Sequence, residues 1–245
     1  MVKNYLKKAT AGIALLAMSS FASADGHSEI SYSANLGFMS DYMYRGVHQS
    51  SSSAMGGFDI EYGSFYLGTW FADLQEDGWV EGSHRGFEYD VYTGFGFDIT
   101  DSISASIGYT IYRYTDKGAS AFDDDYDEVN IGIGLAISDD ASISIDYANG
   151  ENTATDQSET DYDVLTVALD YMGMYALFGT WGVNEDDAAL GEVDADWMEF
   201  GYSRTVGDFD LSGAFVLSEK ELASGSDTAE DGDFSRFVMS ISTGF

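Results

Sequence analysis

The most constraining feature of this sequence is an alternation of apolar and polar residues that recurs in twelve segments of roughly ten residues. In segment 103–111, apolar side chains occupy every second position, and serine, glycine and threonine lie between them. Successive side chains of a strand point to opposite faces, so each segment has one apolar and one polar face. No long apolar run follows residue 24, so any membrane crossing has to be made by strands.

The links between the segments alternate in length. Short links fall at 63–64, 100–101, 138–140, near Gly173 and at 207–208, and long links fall at 45–53, 73–86, 115–127, 149–161, 182–196 and 218–232. Outer-membrane barrels have an even number of strands, short periplasmic turns and longer outer loops. We therefore predict an all-β, transmembrane, antiparallel up-and-down β-barrel of twelve strands with both termini in the periplasm. A soluble β-sandwich also has alternating strands, but it predicts links of mixed length.

The N-terminus has the features of an export signal. A lysine-rich start precedes the apolar run 9–18, and Ala22-Ser23-Ala24 is the small-x-small cleavage pattern. We predict a signal peptide over residues 1–24, cleaved after Ala24, and a single barrel domain over residues 25–245 in the bacterial outer membrane.

Charge and composition limit the partners. The chain has 43 acidic and 10 basic residues, a formal net charge of −33, and no cysteine. Nucleic acid is excluded as a partner because its affinity comes from phosphate neutralisation by lysine and arginine. The acidity favours cations and small solutes as partners, in addition to outer-membrane lipid. The missing cysteines exclude a disulfide framework and Cys-ligated metal, and no nucleotide, phosphate or zinc motif predicts a cofactor.

No enzyme is predicted. Ser83 and His84 are adjacent in an acidic link, which gives no fixed geometry for a nucleophile and its base. The acidic run 123–128 lacks the glycine and the spaced glutamate of a calcium loop, so it is interpreted as a solvated loop.

The polar parity of the strands is strongly acidic. Carboxylates facing a narrow aqueous lumen raise the local cation concentration and repel anions. In a plugged barrel, the same side chains would instead form hydrogen bonds with their neighbours. The candidate pore-lining residues are Asp41, Asp59, Glu61, Glu88, Asp90, Asp98, Asp146 and Glu199, with Arg45 and Arg236 as inward bases.

Segments 65–71 and 172–181 are apolar on both parities. Their inward side chains either line a path for an apolar or aromatic solute, or fill the interior of a small barrel. A bulge that reverses the register is a further explanation. The aromatic residues concerned are Tyr66, Trp70, Tyr175 and Trp181.

The run Ser40-Asp41-Tyr42-Met43-Tyr44-Arg45-Gly46-Val47-His48-Gln49-Ser50 resembles the N-terminal signature of the TorF-type porin family. Segments 56–70 and 88–94 are similar to the same family. The resemblance implies a small outer-membrane barrel regarded as a porin. The C-terminal pattern ending in Phe245 also resembles the signal read by the barrel-assembly machinery, which makes that machinery an expected partner.

Three features together predict a passive channel for small cationic or neutral solutes: the alternation of the strands, the inward carboxylates and the resemblance to the TorF-type porin family. The alternative is a non-conducting structural or surface-contact barrel that acts through its long acidic loops.

Overall fold

A computed structural model describes residues 30–75, 85–115, 125–152, 161–183, 194–223 and 232–245. The predicted signal peptide and its cleavage after Ala24 lie outside these residues. The described part is almost entirely strand, with one short 3₁₀ helix at Lys220–Leu222. The strands are β1 Ile30–Tyr44, β2 Val47–Tyr62, β3 Phe65–Gln75, β4 Arg85–Thr100, β5 Ile103–Tyr114, β6 Tyr126–Ser138, β7 Ala141–Asn152, β8 Asp161–Tyr171, β9 Met174–Val183, β10 Ala195–Val206, β11 Phe209–Ser218 and β12 Phe234–Gly244.

The twelve strands form a closed antiparallel barrel, as predicted. Each strand pairs with its neighbours in the chain, and β1 pairs with β12 from Asn35–Gly244 to Met39–Ser240. The backbone of the last residue, Phe245, exchanges hydrogen bonds of 2.9 and 3.0 Å with Ala34. Closure gives the backbone groups at the strand edges hydrogen-bond partners that lipid could not provide.

Among the described residues, no helix has the length and apolarity needed to cross a membrane.

The predicted alternation is confirmed in the barrel wall. Large apolar side chains point outward and are exposed on every strand, in the pattern of a lipid-facing surface. Strands β3 and β9 follow the same rule without a register shift: Phe65 and Phe71 point outward, whereas Tyr66 and Trp181 are buried inside. Their inward aromatic residues therefore fill the interior.

Five two-residue turns lie at one end of the barrel, which we call the turn end, and the described termini Ile30 and Phe245 lie there too. These turns confirm the five short links. We call the opposite end the loop end. The strand bounds leave five long links there, and most of their residues lie outside the described part. The five turns occupy residues 63–64, 101–102, 139–140, 172–173 and 207–208.

The predicted long link at 45–53 is wrong. β1 and β2 are joined by a two-residue turn, Arg45-Gly46, in which both residues have positive φ, 48° and 81°. Positive φ at both central positions is typical of a type I′ hairpin turn. The serine-rich sequence that follows lacks an apolar parity because this part of β2 does not face lipid. Tyr42 and Tyr44 share the parity of the lipid-facing residues in sequence, yet both are buried.

Candidate functional site

The end of the β1–β2 hairpin leaves the barrel wall. Pairing of β1 with β12 stops at Met39–Ser240, and pairing of β2 with β3 stops at Met55–Ala72. Residues 40–52 pair only with each other, and we call them the lumen hairpin. They include much of the run on which the family resemblance rests.

The lumen hairpin begins at a break between two serines. Met39 pairs with Ser53 and Asp41 with Ser51, but Ser40 and Ser52 between them are not paired, and Ser52 has a φ of 67°. Hydrogen bonds from the wall compensate for the break: the Met239 amide donates to Ser40 Oγ at 3.0 Å. Nearer the tip, the register shifts between Tyr42 and Met43. A left-handed residue and a bulge both bend a strand, which turns the hairpin inward.

A buried ion pair holds the tip of the lumen hairpin. Both terminal nitrogens of Arg45 donate to the two carboxylate oxygens of Glu128 on β6, the longer bond measuring 3.0 Å. Glu128 also accepts hydrogen bonds from Tyr162 at 2.8 Å and from Tyr112 at 3.1 Å. A bidentate pair with further donors is the arrangement in which a buried carboxylate is stable.

The backbone of the tip is held from the other side of the barrel. Trp181 Nε1 on β9 donates to the Arg45 carbonyl at 2.9 Å, and Ser218 Oγ on β11 donates to the Gly46 carbonyl at 2.7 Å. A Cβ at Gly46 would lie 2.6 Å from the Cβ of Trp197, so only glycine fits. The tip therefore lies inside the barrel, in contact with strands on several sides.

Aromatic rings fill the lumen around this tip. Successive ring centroids lie 4.4 to 6.5 Å apart, which is contact distance for tilted and edge-on pairs. We call these residues the aromatic cluster: Tyr44, Tyr112, Tyr126, Tyr162, Trp181 and Trp197.

A cavity of about 70 Å³ borders the underside of the hairpin tip. A water needs at least 10–15 Å³ of such volume, so the cavity has room for a few water molecules. The buried Nε of Arg45 and Nε1 of Trp197 line it and have no hydrogen-bond partner within the protein. Its other polar lining includes Asn130, Asp146, Thr166 and Glu199.

The predicted pore-lining residues fall into four groups. Glu88, Asp90, Glu199 and Arg45 are buried in the lumen. Asp59, Glu61 and Asp146 share the inward parity and are half-buried, whereas Asp98 is exposed beside the turn end. Asp41 and Arg236 approach each other to 3.8 Å near the base of the lumen hairpin.

Glu128 is the central residue of the buried ion pair, and the sequence did not indicate it as a site residue. It ends the acidic run 123–128, for which the sequence predicts a solvated loop. Its position two residues before Asn130 places it on the inward parity of β6, and that signal was available. The neighbouring Asp127 points outward and pairs with Arg113 at 2.9 Å.

The lumen hairpin also brings a serine, a histidine and an aspartate together. Ser51 Oγ lies 3.4 Å from His48 Nε2, and Asp41 Oδ1 lies 3.6 Å from the same nitrogen. A serine–histidine–aspartate relay needs the two groups on opposite ring nitrogens. This arrangement is therefore a polar contact within the hairpin. Ser83 and His84 lie outside the described residues.

Over the described ranges, no three histidine, aspartate or glutamate side chains are grouped so as to hold a metal ion. Asp125 and Asp127, at the described end of the acidic run 123–128, both contact Arg113. Positions 123 and 124 lie outside the described residues.

Solved structures share this fold. A NanC porin aligns with a TM-score of 0.58 and 9% identity, over 87% of this chain and 99% of that one. A KdgM porin aligns with a TM-score of 0.56 at the same identity and coverage, and the KdgM porin in complex with disordered oligogalacturonate with a TM-score of 0.55. The chain thus has the fold of outer-membrane porins.

No curated protein sequence matches the chain. The TorF-type assignment stays a prediction. The model of the family Gcw_chp, described as bacterial protein of unknown function, matches residues 23–245, so the chain belongs to the Gcw_chp family.

Proposed function

We propose that this protein is an outer-membrane channel for small cationic or neutral solutes, and that the lumen hairpin narrows it at the loop end. The observation that carries the proposal is a closed barrel with an apolar outer face and an inner face rich in carboxylates. The loop end then faces outward and both termini face the periplasm, in the usual orientation of such barrels.

The charges of the lumen favour cations over anions. Asp59, Glu61 and Asp146 are half-buried on the inner face, where water reaches them. Carboxylates in a narrow lumen with low-dielectric walls attract cations and repel anions. A polyanion such as oligogalacturonate, found with a KdgM porin, would be disfavoured in this lumen.

The lumen hairpin sets the size limit. Arg45 and Glu128 fix its tip among the rings of the aromatic cluster, and the cavity beneath it measures about 70 Å³. We expect the wild-type protein to pass ions and the smallest solutes in small or infrequent steps, and to conduct more when the hairpin is released.

Single-channel recording in a planar bilayer tests the proposal. The variant R45M/E128Q removes both charges of the buried pair together, so neither is left unpaired. We expect small cation-selective steps from the wild type and steps at least about two-fold larger or more frequent from the variant, because its tip is released. The variant R113Q/D127N removes an outward-facing ion pair between β5 and the neighbouring residue of β6, and it should behave as the wild type does.

An anion-selective reversal potential would contradict the proposal. Silence of both the wild type and R45M/E128Q would favour the second candidate, a structural or surface-contact barrel. The filled lumen at the loop end is the observation in favour of that candidate. In that case, deleting residues 184–193 or 224–231, which belong to the predicted long links 182–196 and 218–232, should abolish contact with a partner, whereas a channel should keep conducting.

A further inference from the structure

We propose that the cavity beneath the hairpin tip is a binding site for a small neutral polyol, with glycerol as the simplest probe. The lumen hairpin forms the roof of this cavity through Met43 and Arg45, and strands β5 to β10 supply most of its walls. The inference deepens the proposed function, because it names a class of solute for the same lumen. It relies on that function for any role in passage across the membrane, but binding itself is measured without conduction.

Two buried side chains of the cavity each have an N–H donor without a hydrogen-bond partner among the described residues. Arg45 uses both terminal nitrogens on Glu128, which leaves its Nε–H, and the second donor is Nε1 of Trp197 on β10. Arg45 is 6% exposed and Trp197 is 2% exposed. A buried donor without an acceptor is costly, so two of them at one cavity point to a ligand that supplies oxygen atoms.

Acceptor groups line the walls of the same cavity. Asp146 on β7 and Glu199 on β10 contribute carboxyl groups, and Thr166 on β8 contributes a hydroxyl. A hydroxyl group of a ligand both donates and accepts hydrogen bonds. Adjacent hydroxyls can therefore satisfy the donors of the roof and the carboxyl oxygens of the walls together, whether the carboxyl groups are ionised or protonated.

The charges around the cavity disfavour an anion as the ligand. Arg45 is the one basic side chain among the described residues that line the cavity, and its charge is neutralised by Glu128. A small anion would therefore meet the carboxyl groups of Asp146 and Glu199 without a free positive charge to offset them. The combination of N–H donors and carboxyl acceptors fits a neutral ligand that carries several hydroxyl groups.

The volume of the cavity limits the size of the ligand. Its 70 Å³ corresponds to about five or six water molecules, which is the size of a three-carbon polyol such as glycerol. Gly132 on β6 keeps part of this space open, because a Cβ there would lie 2.7 Å from both Asp146 Oδ1 and Ser106 Oγ. All three of these residues line the cavity. An alanine at position 132 would push the two polar side chains into the space that the ligand needs.

The cavity can be reached from the turn end of the lumen. Ser106, Asp146 and Thr166 line it and are only half-buried, so water reaches them. Ser106 lies on β5 close to the turn at 101–102, whereas the loop end above the cavity is filled by the lumen hairpin and the aromatic cluster. A solute that enters from the turn end would therefore stop beneath the hairpin tip, at the two buried donors.

Saturation-transfer NMR of glycerol with the full mature barrel tests the site. The protein is folded in micelles of a detergent without hydroxyl groups, and micelles without protein give the background. We expect saturable transfer to glycerol from the wild type. Trp197→Phe removes the Nε1–H donor and keeps a ring, and Gly132→Ala narrows the cavity. Each variant should weaken glycerol binding about three- to ten-fold, the effect of losing one hydrogen bond.

Two matched controls change the same residue types outside the cavity lining. Gly134→Ala lies two positions along the inner face of β6, and its Cβ would lie 2.7 Å from Ser104 Oγ. Trp70→Phe changes a half-buried tryptophan of β3. Both controls should bind glycerol as the wild type does. Equal binding by Gly132→Ala and Gly134→Ala, or by Trp197→Phe and Trp70→Phe, would overturn the proposal.

A second measurement needs only the wild type and compares ligands. Glycerol should give saturable transfer, whereas 1-propanol, sorbitol and acetate should not, because they lack adjacent hydroxyls, exceed the cavity or carry a negative charge. Equal transfer to any of these three would overturn the site, and no transfer to glycerol would show that the cavity holds only water. Silence in bilayer recordings would contradict the proposed channel but not this site, so the two failures can be told apart.

Discussion

The loop end and the turn end of the lumen are formed by the same twelve strands, but different side chains occupy them. At the loop end, the lumen hairpin and the aromatic cluster fill the space around a buried ion pair, Arg45–Glu128. At the turn end, most inward residues are short or acidic and only half-buried, as at Ser104, Ser106 and Asp59, although Tyr66 and Tyr175 are buried there. The alternation along each strand determines only which side chains point into the lumen. Whether those side chains are buried depends on whether another segment of the chain enters the lumen beside them.

The comparison predicts that the loop end is sensitive to substitution and the turn end is tolerant. The largest effect should come from Glu128→Ala, because it leaves the Arg45 guanidinium buried without its partner. Breaking a buried pair in this way costs about 3–5 kcal/mol of unfolding free energy. Urea unfolding in micelles, followed by tryptophan fluorescence, measures the loss.

The neighbouring residue provides the control for that substitution. Asp127→Ala breaks the partly exposed pair with Arg113, and such pairs contribute about 0–1 kcal/mol. Equal losses for the two substitutions would show that the hairpin tip is not held by the buried pair.

A smaller effect is expected at the glycines of the two ends. Gly46→Ala adds a Cβ that would lie 2.6 Å from Trp197 Cβ, at a φ of 81°. Crowding and left-handed backbone together should cost about 2–4 kcal/mol. Gly207→Ala at the turn end has a similar φ of 66° but nothing within 4 Å, so it should cost about 1 kcal/mol. The free energy of unfolding of both variants is measured with urea. Equal losses in the two variants would contradict the expected difference.

The smallest effect is expected from the half-buried carboxylates of the inner face. The variant D59N/D146N should lower the preference for K⁺ over Cl⁻ roughly two-fold, because half-buried charges are partly screened by salt. Stability should change little. The reversal potential across a KCl gradient measures the preference, and an unchanged potential would contradict a role of these two carboxylates in the proposed cation preference.

The wall of the barrel could be predicted from the sequence, because lipid imposes one rule on every strand. Outward residues such as Ile107 and Phe215 have to be apolar, and the alternation is then visible without any structure. The five turns could also be predicted, because they are the short links between the alternating segments. Even β3 and β9, which are apolar on both faces, follow the rule once their inward rings are seen to fill the lumen.

The lumen hairpin could not be predicted in this way, because its surroundings are other side chains. Tyr42 and Tyr44 continue the lipid-facing parity in sequence, but the break at Ser40 and Ser52 carries them inside. Arg45 was expected to point inward, yet its partner Glu128 lies 83 residues away in an acidic run. The inward parity of Glu128 is visible in the sequence, but its contact with Arg45 is specified by three-dimensional packing and leaves no periodic signal.

The short seam between β1 and β12 has a consequence for the order of assembly. It is the shortest paired region of the barrel, from Asn35 to Met39 on β1 with Phe245 bound to Ala34. The hairpin tip spans the interior to β6, β9 and β11, over separations of 83, 136 and 172 residues. These contacts need β1 and β2 together with strands that follow much later in the chain, so we expect the tip to be held in place only when the barrel is complete. Contacts of such large sequence separation make folding slow.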